Sequence, residues 1–442
     1  MPSAVPQRRA RRHPMLWVPS CFFAMGTVYT MVTTASNIMF ANLGLPNAQA
    51  AAYSSLTGLA YTFNPLWAPL LELYRTKRFF VLAAQSVLAC AFAGVAIALG
   101  RPSFVDPVVA LLMLASLAGA TQDVATNGVY VTTLNETEEA AYAGVQSMTW
   151  SIGPILAASV LVLLVGRFSG ETGRGARPTS AAYAHAWSLV GFGVAVLLAA
   201  LVAWHAVVLP TGSKAGDAPA SLRDAAAGLG RVFVTFFQKK DLIRLLAFAF
   251  FYRFGLGLLD KVGPLFLLDA RAHGGLGLDN GQLGLLNGIA TGAFIAGSFI
   301  GARFVAKRGL RRSILVLCLA LNIPNVTFLY LGWARPESLW IIGSVFLLEK
   351  VGWGIGAVGH MLYMMQQIAP GPYKTAHFAF ATGLGLSLCM TLTGLVSGRM
   401  QTLLGYQAFF VVVLVACVPS VLFTVLAPFH NADATPKTVT GH

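Results

Sequence analysis

Six ionisable side chains interrupt stretches that are otherwise apolar: Asp123, Arg253, Asp260, Lys261, Glu349 and Lys350. A charge set in hydrocarbon costs roughly 2.5 to 3.5 kcal/mol on insertion scales, so each needs a partner or a purpose. Asp123, Asn127 and Tyr130 stand at i, i+4 and i+7, which places a carboxylate, an amide and a phenol on one helical face. Such a face suits a polar solute. It equally suits a carboxylate that answers a basic side chain across a helix bundle. Glu349 lies near the middle of the apolar run 339–366, where a buried carboxyl is a candidate carrier of a coupling proton. The other reading is a fixed pair in which Lys350 or Lys261 holds it ionised. Arg253 and Asp260 are seven apart and share a face, with Lys261 slightly round the helix, so one stretch can present both signs. Arg253 is also placed to snorkel toward a membrane surface.

Neutral polar groups join them. Tyr29, Thr30, Thr33, Thr34 and Asn37 make the first apolar stretch polar without charge. Tyr61, Asn64 and Trp67, then Trp150, then Trp353 and Tyr363, set rings beside hydrogen-bonding groups. That combination suits stacking on sugar rings, while aromatics in apolar stretches also serve as packing and interface belts. His360 and His377 are each single, and no HExxH or paired His/Cys spacing is present. Cys21, Cys90, Cys318, Cys389 and Cys417 are odd in number, lie in apolar runs and have no CxxC spacing. They read as packing residues, and the expectation is no metal, no cofactor and no enzymatic nucleophile.

The elements that carry these residues must sit in lipid. Of the 442 residues 56% are hydrophobic and 10% charged, and the mean hydropathy is +0.70, a balance that water does not solvate. The net charge of +14 is not a stripe of the kind that grips nucleic acid, because the basic residues fall between apolar runs. About 20 apolar residues cross a bilayer. Runs of that kind predict twelve transmembrane helices near 15–41, 51–73, 79–99, 107–133, 141–165, 182–208, 242–268, 282–304, 313–333, 339–366, 376–396 and 408–427.

Arg8, Arg9, Arg11 and Arg12 precede the first run, which is too long for a signal peptide and reads as an uncleaved span. With the N-terminus inside, Arg75, Lys77 and Arg78, then Lys214, Arg223, Arg231, Lys239, Lys240 and Arg244, then Arg303, Lys307, Arg308, Arg311 and Arg312 all fall on the cytoplasmic side. The opposite loops hold only Arg101, Arg167, Arg174, Arg177, Arg271, Arg335 and Arg399. This asymmetry predicts both termini in the cytoplasm. The chain divides into a bundle at 1–210, a connection at 211–241 and a bundle at 242–442. In the connection Leu222, Leu229, Val232 and Phe236 recur at helical spacing among basic residues, which suits either an interfacial helix or a flexible linker. Basic turns after the second and eighth spans echo one another, so the plan is an internal repeat of six plus six helices with a central solute site.

Several stretches resemble the AmpG-like branch of the major facilitator superfamily, the peptide, acetyl-CoA and drug transporter group that includes muropeptide permeases. They are Tyr61-Thr-Phe-Asn-Pro-Leu-Trp67-Ala-Pro-Leu-Leu-Glu72, Ala120-Thr-Gln-Asp123, Phe251-Tyr-Arg253-Phe-Gly255 and Tyr373-Lys-Thr-Ala-His377-Phe-Ala-Phe-Ala-Thr382-Gly. Gly263-Pro-Leu-Phe-Leu-Leu-Asp269 followed by Gly274-Gly-Leu-Gly-Leu278 is similar to members found near glycan-degradation genes. The resemblance implies proton-coupled import of peptidoglycan fragments or amino-sugar oligosaccharides, with Asp123, Lys261 and Glu349 at cavity positions; the expected setting is a bacterial inner membrane and the expected carrier a monomer. The chain departs from the pattern at Glu72, at Asn127 and in span five, where Gln146, Trp150 and Ser151 stand in place of a basic residue. Other readings are a siderophore or drug carrier in a cavity of the same shape, a solute sensor that moves nothing, and a membrane-embedded enzyme.

Overall fold

In hydrocarbon every backbone N–H needs a partner within its own segment, and an apolar chain meets that demand as helix. The computed structural model describes residues 12–68, 71, 75–172, 178–212, 222–371 and 373–430. Arg8, Arg9, Arg11, Pro69, Glu72, Arg174, Arg177 and Lys214 lie outside the described residues. The helices, in order, are α1 (Pro14–Asn42), the interrupted α2 (47–66), α3 (Lys77–Ala98), α4 (Val105–Thr133), α5 (Thr137–Ser169), α6 (Ser180–Val208), α7 (Leu242–Leu268), α8 (Asn280–Arg308), α9 (Leu310–Ala334), α10 (Leu339–Ile368) and the 50-residue stretch Ala376–Val425. That last stretch turns at Gly405, whose φ of 76° and ψ of 167° suit a residue without Cβ, so α11 (376–404) and α12 (406–425) meet there with no loop.

Ten stretches among the described residues are long and apolar enough to cross a membrane, and α2 is not one of them. It is cut into Asn47–Leu56, Gly58–Phe63 and Asn64–Leu66. Two effects account for the cuts. Pro65 has no N–H to continue the ladder, and the Thr57 hydroxyl donates to Val32 O and Ser54 O at 2.8 Å each, fixing the first joint to α1. The continuous second helix expected from the sequence is therefore corrected to an interrupted one. A second break falls in α7 between Leu242–Phe251 and Phe254–Leu268, with Arg253 off the helix at φ −115° and ψ 22°. Widened π turns occur at Met31–Ala35, Leu156–Val160, Met364–Ile368 and Thr382–Ser387.

Close crossings use glycine because backbones must touch. Any Cβ on Gly26 of α1 would strike the Trp150 carbonyl of α5, and one on Gly153 would strike the Thr27 amide. Gly297 and Gly301 press on the Val351 and Ile355 carbonyls, whereas Gly352 and Gly356 face α9, so both GxxxG stretches pack helices. Between α6 and α7 the amphipathic helix Leu222–Phe237 buries Phe236 beside Phe380 and His377 while Phe233, Val234 and Phe237 stay exposed. Lys239 Nζ then donates to the Pro370 carbonyl at 2.6 Å.

Because successive spans alternate in direction, the turns carrying Arg75, Lys77, Arg78, Lys239, Lys240, Lys307, Arg308, Arg311 and Arg312 share one end, called the basic end. At the opposite end the helices before residue 212 are joined to those after it. Asn47 Nδ2 donates to Gln401 Oε1 (3.0 Å) and Tyr406 Oη (2.8 Å). Glu171 accepts from the Asn280 backbone N–H at 2.8 Å and its side-chain amide at 2.7 Å, and from Tyr183 Oη at 2.6 Å. Deeper in, Ser159 Oγ donates to Gly284 O (2.6 Å) and Asn287 Nδ2 to Ala158 O (2.9 Å). Among the described residues no hydrogen bond joins α5 to α8 nearer the basic end.

Candidate functional site

The site sits on α1, the most enclosed of the long helices. Tyr29 nonetheless keeps 38% of its surface exposed, so an open space lies beside it. Its ring meets Tyr61 of α2 edge-on at 5.0 Å and tilts against Trp150 of α5 at 6.2 Å. Asp260, Arg253 and Asp123 all stand within electrostatic reach of its hydroxyl. The Asp123 charge also acts on the Tyr61 hydroxyl. That hydroxyl crowds Gly119, one turn before Asp123 on the same helical face. Asp123 is half-buried. Asn127 Nδ2 donates to its backbone carbonyl at 2.9 Å and approaches its carboxylate at 3.4 Å. Among the described residues no Lys or Arg stands at ion-pair distance from Asp123, so the basic partner admitted by the sequence is not found there.

Tyr130 is not brought to this space. The seven-residue step keeps it on the same side of α4, but its hydroxyl donates to Glu139 O at 2.7 Å and its ring packs on Phe22 and Trp17 at the basic end. Asn37 and Lys261 are engaged between two helices. Asn37 Nδ2 donates to Lys261 O at 2.9 Å, and Lys261 Nζ donates to Thr33 O at 2.7 Å, a reciprocal clasp between α1 and α7. Both are buried. The Thr33 carbonyl stands within the π turn of α1, where widened geometry leaves carbonyls for outside donors. Asp260 lies 3.5 Å from Lys261 and keeps about a quarter of its side chain exposed. Asn64 is half-buried beyond Tyr61.

Glu349 is 1% exposed, and Lys350 Nζ stands 3.0 Å from its carboxylate. The same ammonium lies over the Trp353 ring at 4.3 Å and the Phe346 ring at 4.9 Å. Of the two readings of Glu349, the geometry favours the fixed pair with Lys350. The pair remains within electrostatic reach of Asp260.

Arg253 occupies the break in α7 and is 9% exposed. One guanidinium nitrogen approaches Ala357 O at 3.5 Å, and Nε has no partner. The break also removes the helical donor of the Ala249 carbonyl, and His360 Nε2 takes its place at 2.9 Å, with the imidazole stacked on Tyr252 at 4.8 Å. His360 thus supports the break, and His377, near Thr235 Oγ1 (3.2 Å) and Val232 O (3.3 Å), anchors the amphipathic helix. Trp150 belongs to the site although its sequence signal was only an aromatic amid polar neighbours. Among the described residues no group of three His, Cys, Asp or Glu side chains is placed to hold a metal ion.

The family model for the Major Facilitator Superfamily matches residues 17–397. The anhydromuropeptide permease of Escherichia coli (strain K12) is 22% identical over 382 residues, covering 84% of this chain and 71% of its own. Among solved structures, a D-xylose-proton symporter superposes with a TM-score of 0.69 at 11% identity, covering 96% of this chain and 99% of its own. A mutant form of the nucleoside transporter NupG superposes with a TM-score of 0.68 at 14% identity, covering 93% and 98%. At such identities these two likenesses establish the fold.

Proposed function

This chain belongs to the Major Facilitator Superfamily, and from that premise we propose that it imports a polar solute by proton-coupled alternating access, the solute being a peptidoglycan fragment or amino-sugar oligosaccharide. The observation that supports the reading is the exposed Tyr29 ring against Tyr61, within electrostatic reach of Asp123, Arg253 and Asp260, charges from both sides of residue 212. Two six-helix halves, twelve crossings with α2 as the interrupted one, enclose it. The Lys and Arg excess puts the basic end in the cytoplasm with both termini, so the end joined through Asn47 and Glu171 faces outward. The likeness to the anhydromuropeptide permease supports the choice of solute.

Asp123 carries the coupling proton in this reading. It borders the cavity without an ionic partner, whereas Glu349 is engaged by Lys350. Protonating Asp123 removes a charge whose exposure differs between the two open states, and that difference biases the equilibrium between them. Proteoliposomes with an imposed pH gradient test it. Asp123→Asn abolishes gradient-driven accumulation of labelled chitobiose or anhydro-muropeptide and leaves counterflow exchange intact. Accumulation by the variant at the unaltered level overturns the assignment.

A further inference from the structure

Arg253 poses a problem of charge that the fold alone does not resolve. Its side chain is more than nine-tenths buried, its Nε has no partner, and its one hydrogen bond, to Ala357 O, is long at 3.5 Å. No carboxylate among the described residues stands at ion-pair distance from it. The two nearby acids are otherwise placed: Asp260 lies beside Lys261 at 3.5 Å, and Asp123 belongs to α4 in the other half. A guanidinium cannot shed its proton near neutral pH, so burial without a counter-charge is a standing cost that an anion of the right shape would remove.

The position is also built for an anion. The break at Tyr252-Arg253 begins a second helical segment, Phe254–Leu268, whose first turn lacks the i−4 carbonyls a continuous helix would supply. Its N–H groups and the positive end of its dipole lie at the level of the guanidinium. The break is braced from α10, by Tyr252 Oη on Gly356 O at 3.1 Å and by His360 on Ala249 O. That bracing holds Arg253 in place when the cavity is empty. Tyr29 of α1 lies within electrostatic reach of both Arg253 and Asp123, so a positive and a negative group from opposite sides of residue 212 flank the same ring.

We infer that the cavity takes a solute bearing a carboxylate, and that Arg253 with the first turn of Phe254–Leu268 is the subsite that receives it. Neutral sugars and nucleosides leave this subsite empty. The inference rests on the transport reading above and narrows its substrate class. It also assigns the two halves separate tasks: α7 grips the anionic group while Asp123, on α4, handles the proton. A solute held at both places bridges the halves.

The test uses the full-length protein in detergent and matched probe pairs: N-acetylmuramic acid against its amide, and chitobiose against the aldonic acid made by oxidising its reducing end. Quenching of intrinsic tryptophan fluorescence reads binding, because Trp150 borders the site. Each acid binds about tenfold or more tightly than its neutral partner, the fold-change of one charge-assisted hydrogen bond withdrawn from water. Arg253→Gln erases the gap between partners, and Arg253→Lys restores part of it. Equal binding of acid and neutral partner by the unaltered protein overturns this inference and leaves the amino-sugar reading standing. Binding of neither pair overturns both.

Discussion

At the scale of single residues, lipid makes charges conspicuous but does not say what answers them. Asp123, Arg253 and Asp260 were legible as a group because each is costly where it stands, and all three lie within electrostatic reach of Tyr29. Tyr130, Asn37 and Lys261 were equally conspicuous by type and turn out to hold backbone carbonyls. Side-chain type and helical face cannot separate these outcomes, because a neighbouring helix's free carbonyl leaves no mark in the sequence. Two predictions follow from that division. Tyr130→Phe removes one hydrogen bond to Glu139 O, lowers stability by about 1 kcal/mol and leaves solute affinity unaltered; a several-fold loss of affinity would return Tyr130 to the site. Glu349→Gln strands the Lys350 ammonium and lowers stability by roughly 3 to 5 kcal/mol, and the double change Glu349→Gln with Lys350→Met recovers most of it. Fluorescence-detected thermal unfolding reads both proteins, and a double variant no more stable than the single one contradicts the pairing.

At the scale of elements, span positions were readable from apolar runs, whereas the interruptions were not. The breaks in α2 and α7 and the π turns depend on hydroxyls, imidazoles and ammonium groups from other helices that take up freed carbonyls, as Thr57, His360 and Lys261 do. The turn at Gly405 was hidden because apolar residues on both sides disguise it as one run. Helix crossing at Gly26 and Gly153 is a joint that leaves no room for a side chain. Gly153→Leu forces α1 and α5 apart and yields a protein that fails to reach the membrane in folded form, read by size-exclusion of a fluorescent fusion; a monodisperse, full-yield variant would contradict the close approach. At the far end, Glu171 accepts three hydrogen bonds, two from the first residue of α8. Glu171→Gln keeps the shape and removes the charge, so that end opens more often. A cysteine introduced at Asn47 then reacts about tenfold faster with a maleimide in detergent, and an unaltered rate would remove Glu171 from the closure.

At the scale of the whole molecule, composition alone placed the chain in lipid, and the distribution of Lys and Arg supplied an orientation. What the sequence did not disclose was the set of hydrogen bonds that joins the two parts of the chain at one end. Hydrogen bonds join the helices before residue 212 to those after it at the end that holds Asn47, Gln401, Glu171 and Asn280. Alternating access requires that this closure break and re-form in every cycle. Locking it should therefore stop transport without disturbing the site. The measurement uses a protein in which Cys90, the exposed cysteine, is replaced and cysteines are introduced at Asn47 and Gln401, reconstituted with labelled solute and treated with a short, reducible thiol crosslinker. Uptake falls to the level of empty liposomes when the pair is crosslinked and recovers on reduction; full uptake through a protein shown to be crosslinked at that end would contradict the account.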